Sequence, residues 1–290
     1  MLKDAFAEQV GAVREAVEAG ENVAVVSEPY GGRGVVVDEA VDEDERISFS
    51  SVDGADESAE SAEVPEEGVC LVDGPRYLYT RRVGGFAPLE GFVDSVAASD
   101  AIFVTSWNAY AWSYAHQAAA VGVLGEEVRV PGLGASETAR FLADEYDVSE
   151  FEDDLEEVLS DEPPGFVDRL PPELGRLIRG SSDNLFERLT GVSGGNPGVA
   201  RAVFEDRSWD DDTEGVELTD DEAFALRVVL SKETVGRDAL GSVVRPRSLG
   251  PVVRRLVDAG FVEEDGGDVT LLPERLPDAV EHLERRRLVR

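Results

Sequence analysis

Lysine is nearly missing from this chain of 290 residues: Lys3 and Lys232 are the two, and every other basic residue is arginine. Cysteine and histidine are as scarce, with Cys70, His116 and His282 the whole set. One thiol excludes an internal disulfide, and its place in an apolar run marks Cys70 as a small core residue. Two histidines and one cysteine leave too few ligands for a zinc site. No apolar run approaches the roughly 20 residues of a membrane-spanning helix. The first twenty residues carry acids inside an amphipathic pattern, unlike a secretory signal. No membrane partner and a cytoplasmic location are therefore expected.

What the chain has in excess is carboxylate: 62 acidic against 27 basic residues, a net charge of −35 spread along the whole length. Such a surface stays hydrated and soluble in a salty cytoplasm, and a halophilic, archaeal origin is expected on that ground. Dedication to one basic partner is the other reading. At molar salt the Debye length is about 3 Å, so this charge does not exclude nucleic acid. The hydrophobic share of 42% suits one large or two small domains with real cores.

Periodicity predicts a helix over 4–18 (Phe6, Val10, Val13 and Val17 on one face) closed by Gly20. Strands are predicted at 23–26, 46–52 (an edge strand), 69–72, 101–105 and 127–130, with helices at 35–41, 88–98, 109–121 and 135–145. Short apolar strands alternating with helices argue for an α/β fold, a five-stranded, mainly parallel sheet covered on both faces. The acidic stretch 54–67 reads as a solvated loop. Helices are then predicted at 151–159, 171–179, 183–190 and 196–204, with a polar linker at 206–215. Three helices at 220–230, 236–244 and 249–259 precede strands at 261–263 and 269–272, joined through Gly266-Gly267. Three helices and a hairpin are the winged-helix arrangement. The expected domains are 1–146, 147–207 and 216–290.

The stretch VAVVSEPYGGRGVVV, residues 23–37, runs from a strand through a glycine turn into a helix. A phosphate-binding loop, G-x-x-x-x-G-K-[ST], works by turning backbone N–H groups, a lysine and a magnesium-binding hydroxyl onto phosphates. Laid on residues 27–34, Ser27 replaces the first glycine, Gly31 and Gly32 keep the turn, Arg33 replaces the lysine and Gly34 the hydroxyl. VCLVDG, residues 69–74, has the shape of the second nucleotide motif, with Asp73 at the magnesium position and Gly74 where a catalytic acid usually follows. An aspartate that only caps the strand end is the competing reading of Asp73.

In order along the chain, the glycine loop, VCLVD, FVTSWN (103–108), the strand ending in Pro131, a helical lid with GGNPGVA (194–200) and a winged helix resemble the AAA+/STAND class of P-loop ATPases, nearest to the archaeal initiator-type members. The resemblance spans nearly the whole chain through motifs that are each degenerate. It implies ATP or ADP between the carboxyl edge of the sheet and the lid, with Gly31, Gly32, Arg33, Gly34, Asp73, Asn108 and Asn196-Pro197 at the site. Asn108 or Thr105 would sense the terminal phosphate, and Asn108 has capping of the next helix as its alternative. Lysine, magnesium hydroxyl and catalytic acid are all altered, so no catalytic residue, no magnesium and at most weak nucleotide binding are expected.

Gly191-Val192-Ser193-Gly194-Gly195 fits an esterase turn, but a helix precedes it where that motif needs a strand. Gly132-Leu133-Gly134 lacks the third glycine of a dinucleotide fingerprint and reads as a loop entering a helix. Trp107, Tyr110, Trp112 and Tyr114 are expected in core packing, with a partner-facing patch as the alternative. The turn 81–86 is read as a basic surface loop or as the carrier of a contact arginine. Arg245, Arg247, Arg254 and Arg255 cluster on the presumed recognition helix and its approach, where they would neutralise DNA phosphates. Two functions stay open: a non-catalytic, nucleotide-sensing regulator contacting a protein partner or itself, and a DNA-binding winged-helix protein whose ATPase-like part is scaffold. A slow ATPase is the third.

Overall fold

The structure, a computed structural model, describes residues 2–50, 64–151, 154, 184–207, 216–244 and 249–289. The expected helices at 151–159 and 171–179 lie outside these residues apart from Phe151 and Asp154, as do most of the acidic stretch and the polar linker.

Helices α1 (Leu2–Ala5) and α2 (Ala7–Glu18) lead into β1 (Val23–Ser27). Then come α3 (Arg33–Ala40), β2 (Glu45–Ser48), β3 (Val69–Asp73), α4 (Ala87–Ala98), β4 (Ile102–Asn108), α5 (Ala109–Ala118), β5 (Glu126–Arg129) and α6 (Ala135–Glu145). The sheet order is β2-β3-β4-β1-β5, and every neighbouring pair is parallel. Every residue of β1 is buried. Val23 and Val25 belong to one apolar cluster while Ala24 and Val26 belong to a second, so both sheet faces are covered. Cys70 is buried as expected, and burial pushes its thiol pKa up to about 12.

β4 runs three residues past the expected end because its polar tail stays in register with β1, Val25 opposite Ser106 through Ser27 opposite Asn108. Trp107 and Trp112 are buried in the core, whereas Tyr110 and Tyr114 are half-buried. Two helices follow, α7 (Leu185–Ser193) and α8 (Pro197–Asp206), started by Asn184 and Asn196, whose side chains each accept from two backbone N–H groups.

The last unit is α9 (Asp220–Lys232), β6 (Thr234–Gly236), α10 (Arg237–Val243), α11 (Leu249–Asp258), β7 (Val262–Asp265), β8 (Asp268–Leu271) and α12 (Leu276–Arg285). β6 is an addition to the expected pattern. It pairs antiparallel with β8, giving a three-stranded sheet ordered β6-β8-β7.

Candidate functional site

The connections leaving β1 and β4 run in opposite directions across the sheet, so the crevice at their carboxyl ends is a topological switch point. Ser27 ends β1 there and Asn108 ends β4, side by side in register. Between β1 and α3 the chain turns through two left-handed residues, Tyr30 (φ 63°) and Gly32 (φ 88°). Gly32 is the residue before the first helical turn of α3, so the N-terminal amides of α3 belong to this turn. Gly34 has open space around it.

The crevice holds a carboxylate of the chain itself. Glu233, at the end of α9, places Oε1 2.7 Å and Oε2 2.9 Å from Nη2 of Arg33. Arg76 approaches Oε2 at 3.3 Å, and Nδ2 of Asn108 donates to Oε1 at 3.1 Å. Burial alone would raise the pKa of Glu233, but Arg33 and then Arg76 outweigh it and hold the carboxyl below its ordinary range. Burial likewise works against the charge on Arg76, and Glu233 reverses that. The backbone of Glu233 stands at φ 68°, ψ −54°, a strained γ-turn conformation that a non-glycine residue keeps only when its surroundings enforce it.

Those surroundings are extensive. The Lys232 carbonyl accepts from Arg76 Nε and from the Tyr77 hydroxyl, both at 3.0 Å. The Lys232 ammonium donates to the carbonyls of Arg76 and Tyr79 and lies 3.5 Å from the Tyr79 ring centre. The Leu230 carbonyl accepts from Asn108 Nδ2 at 2.8 Å. The Tyr30 hydroxyl donates to the Leu271 carbonyl of β8, and burial pushes its pKa up. The end of α9 is thus seated in the crevice by both its backbone and its side chains.

The structure brings Gly31, Gly32, Arg33, Asn108 and Asn196 into one neighbourhood. Asn108 does two things at once: its Oδ1 caps α5 by accepting from the Tyr110 and Ala111 amides, and its amide nitrogen holds Glu233 and α9. Thr105 takes no part, since its hydroxyl lies under the Trp107 indole N–H and beside the Val23 carbonyl. Asn196 ties the start of α8 to the loop by donating to the Pro29 carbonyl at 2.7 Å, and the Gly198 amide donates to the Tyr30 carbonyl at 3.2 Å. Asp73 lies at the edge of the site, paired with Arg46 at 3.2 Å. Its pKa is raised by burial, against the pull of Arg46. Beside the loop a cavity of about 230 Å³ opens between Ser27, Gly31, Val130, Gly132 and Asn196.

Arg254 and Arg255 are exposed on α11, away from this crevice; Arg245 and Arg247 lie outside the described residues. Lys232, one of the two lysines of the chain, is buried, its Nζ donating to the Arg76 and Tyr79 carbonyls. The Ser193 hydroxyl sits in a helix-ending turn, 3.5 Å from the Thr190 carbonyl, with α7 before it, so the esterase geometry is absent. Glu233 and Arg76 are the site residues that sequence reasoning misses. The one signal for Glu233 is a Lys-Glu pair that closes an apolar helix, and helix ends ordinarily put such charges in water.

No family model matches the chain, and no curated protein matches it. Among solved structures it is similar to the Walker-type ATPase of Pyrococcus abyssi (12% identity, 95% of this chain and 94% of that one, TM-score 0.38). It is also similar to the Orc1 protein of Aeropyrum pernix in complex with DNA (14% identity, 98% and 94%, TM-score 0.41). A third is the RuvB protein of Thermotoga maritima (14% identity, 98% and 95%, TM-score 0.36). Similarity at this level says nothing of ligand or activity in this chain.

Proposed function

We propose that the chain is a non-catalytic regulatory protein of AAA+/STAND type. Its phosphate crevice is closed by its own Glu233, and a C-terminal winged helix docks through that closure. The observation that carries the reading is the Glu233 carboxylate held by Arg33, Arg76 and Asn108, at the helix start where a phosphate would otherwise bind. A carboxylate there offers the arginines two oxygens and one negative charge, a partial substitute for a phosphate group. With the lysine, magnesium hydroxyl and following acid all replaced, the crevice is built to hold an anion rather than to cleave one. Weak nucleotide binding then requires displacement of Glu233 and release of the end of α9.

The test is titration of ATP and ADP, with and without magnesium, into the wild type and Glu233→Gln. The wild type is expected to bind weakly or not at all. Removing the competing charge is expected to improve affinity by about tenfold or more, since a charge-assisted hydrogen bond contributes about 1.5–3 kcal/mol. Tight magnesium-dependent binding by the wild type, or phosphate release that Arg33→Ala abolishes, would falsify the reading.

A second reading, DNA binding by the winged helix with the sheet unit as scaffold, is favoured by one observation. Arg254 is 85% exposed, and its only ion pair among the described residues is a 4.0 Å approach to Asp258.

A further inference from the structure

A cavity of about 470 Å³ lies between α5, the turn after Leu78, α9, and the chain that follows α12. Four arginines line it: Arg81, Arg129, Arg227 and Arg287. In a chain with 62 acidic and 27 basic residues, arginines ordinarily find carboxylates, as Arg129 does with Glu127. Arg81 and Arg227 do not: neither has an ion pair among the described residues, and the Nε of each is fully buried without a hydrogen-bond partner. Burial lowers the pKa of Arg81, Tyr79 works against that, and the like charge of Arg227 lowers it again. Arg81 is fixed in place, stacked 3.7 Å over the Tyr114 ring, which itself packs on Tyr79 and Phe86 at 5.6 and 5.4 Å. The carboxylates on the lining are Glu28 and Glu284.

Two like charges lining one cavity without a carboxylate partner are costly unless an anion joins them. Guanidinium donors in a fixed fork suit the paired oxygens of a phosphate group. The rest of the lining mixes polar Ser113 and Gln117 with apolar Val280 and Leu288. The volume falls within the range of small-molecule sites. We infer that this cavity, which shares Glu28, Ala109 and Arg129 with the cavity beside the glycine loop but is lined by none of Arg33, Arg76 and Glu233, binds a small phosphate-bearing organic molecule, with the phosphate on Arg81, Arg227 and Arg287 and the organic part against Val280 and Leu288.

The test measures thermal unfolding of the full chain at constant ionic strength, balanced with potassium chloride, with inorganic phosphate, pyrophosphate, adenosine 5′-monophosphate or adenosine added. The monophosphate is expected to raise the midpoint and adenosine alone is not. A larger rise with pyrophosphate than with the monophosphate would assign the site to inorganic anions and overturn the organic part. Arg227→Gln is expected to leave the ligand-free midpoint unchanged or higher, because repulsion is relieved, and to weaken the monophosphate about tenfold or more. A merely structural arginine would instead lower the ligand-free midpoint. Should Arg227→Gln not fold, Arg287→Gln, on the exposed tail, carries the same expectation. A response no larger than the chloride control overturns the proposal. So does a response that survives in both variants, which would report the Glu233 crevice instead.

Discussion

At Gly198 an added Cβ would stand 2.5 Å from Tyr30 Cβ and 3.0 Å from the Tyr30 carbonyl oxygen. Helix α8 therefore meets the glycine loop backbone to backbone, and only glycine allows it. Gly198→Ala is expected to push α8 off the loop and destabilise the protein by about 1–3 kcal/mol, the usual cost of overpacking. Gly11→Ala is the control: it sits in α2 with nothing within 4 Å, and alanine there is expected to stabilise by up to about 1 kcal/mol. Denaturant midpoints of the two variants measure both, and equal shifts would refute the close approach. At this scale the sequence was partly legible. Gly32, Arg33, Asn108 and Asn196 stand out by motif position. Glu233 does not, because its partners Arg33 and Asn108 are 200 and 125 residues away and the tie between them is tertiary.

Among elements, α11 shows what periodicity can and cannot reveal. Of its apolar positions Val252, Val253 and Leu256 are buried and Leu249 is half-buried as the spacing predicts, but Val257, expected on the same inward face, is exposed along with Arg254 and Arg255. The sheet strands were legible for the same reason, as apolar runs buried on both faces. β6 was not, because three residues carry no period and its partner β8 is set by a register of Thr234 against Thr270. The tail of β4 was missed because polar residues read as a loop until pairing with β1 holds them extended. If α11 contacts DNA, its arginines neutralise phosphates, and log affinity falls with log salt by about 0.9 per phosphate contacted. Arg254→Glu is then expected to weaken duplex binding about tenfold or more and to reduce that slope by about 1. Binding measured by fluorescence anisotropy across a salt series decides it. No binding at the lowest salt that keeps the chain folded would remove the DNA reading.

For the whole molecule, α9 is the element on which the units meet. Its buried apolar residues lie in the same cluster as those of α2, α3, α7 and α8 and as Val23 and Val25 of β1, Arg227 lines the arginine cavity, and Lys232 and Glu233 fill the crevice. Removing one member of a buried ion pair strands the other, at about 3–5 kcal/mol. Glu233→Gln keeps the shape and one hydrogen-bonding oxygen, so a loss near the lower end, about 3 kcal/mol, is expected at neutral pH. The pH dependence follows from the lowered pKa of Glu233. Unfolded, the group takes up its proton near the ordinary carboxylate value; folded, it does so only at lower pH. Its contribution is thus complete above about pH 4.5 and is lost as pH falls through the lower folded value. Lys232 also has a lowered pKa, from burial, Arg81 and Arg76, so its own contribution grows as pH rises toward the ordinary lysine value. It is present in both proteins and drops out of their difference. The gap in unfolding free energy between wild type and Glu233→Gln, followed by denaturant titration at fixed high salt, should stay constant from pH 8 to about 5 and close below about 4. A gap indifferent to pH would mean that Glu233 is already protonated in the crevice, and that no carboxylate charge holds α9 against the glycine loop.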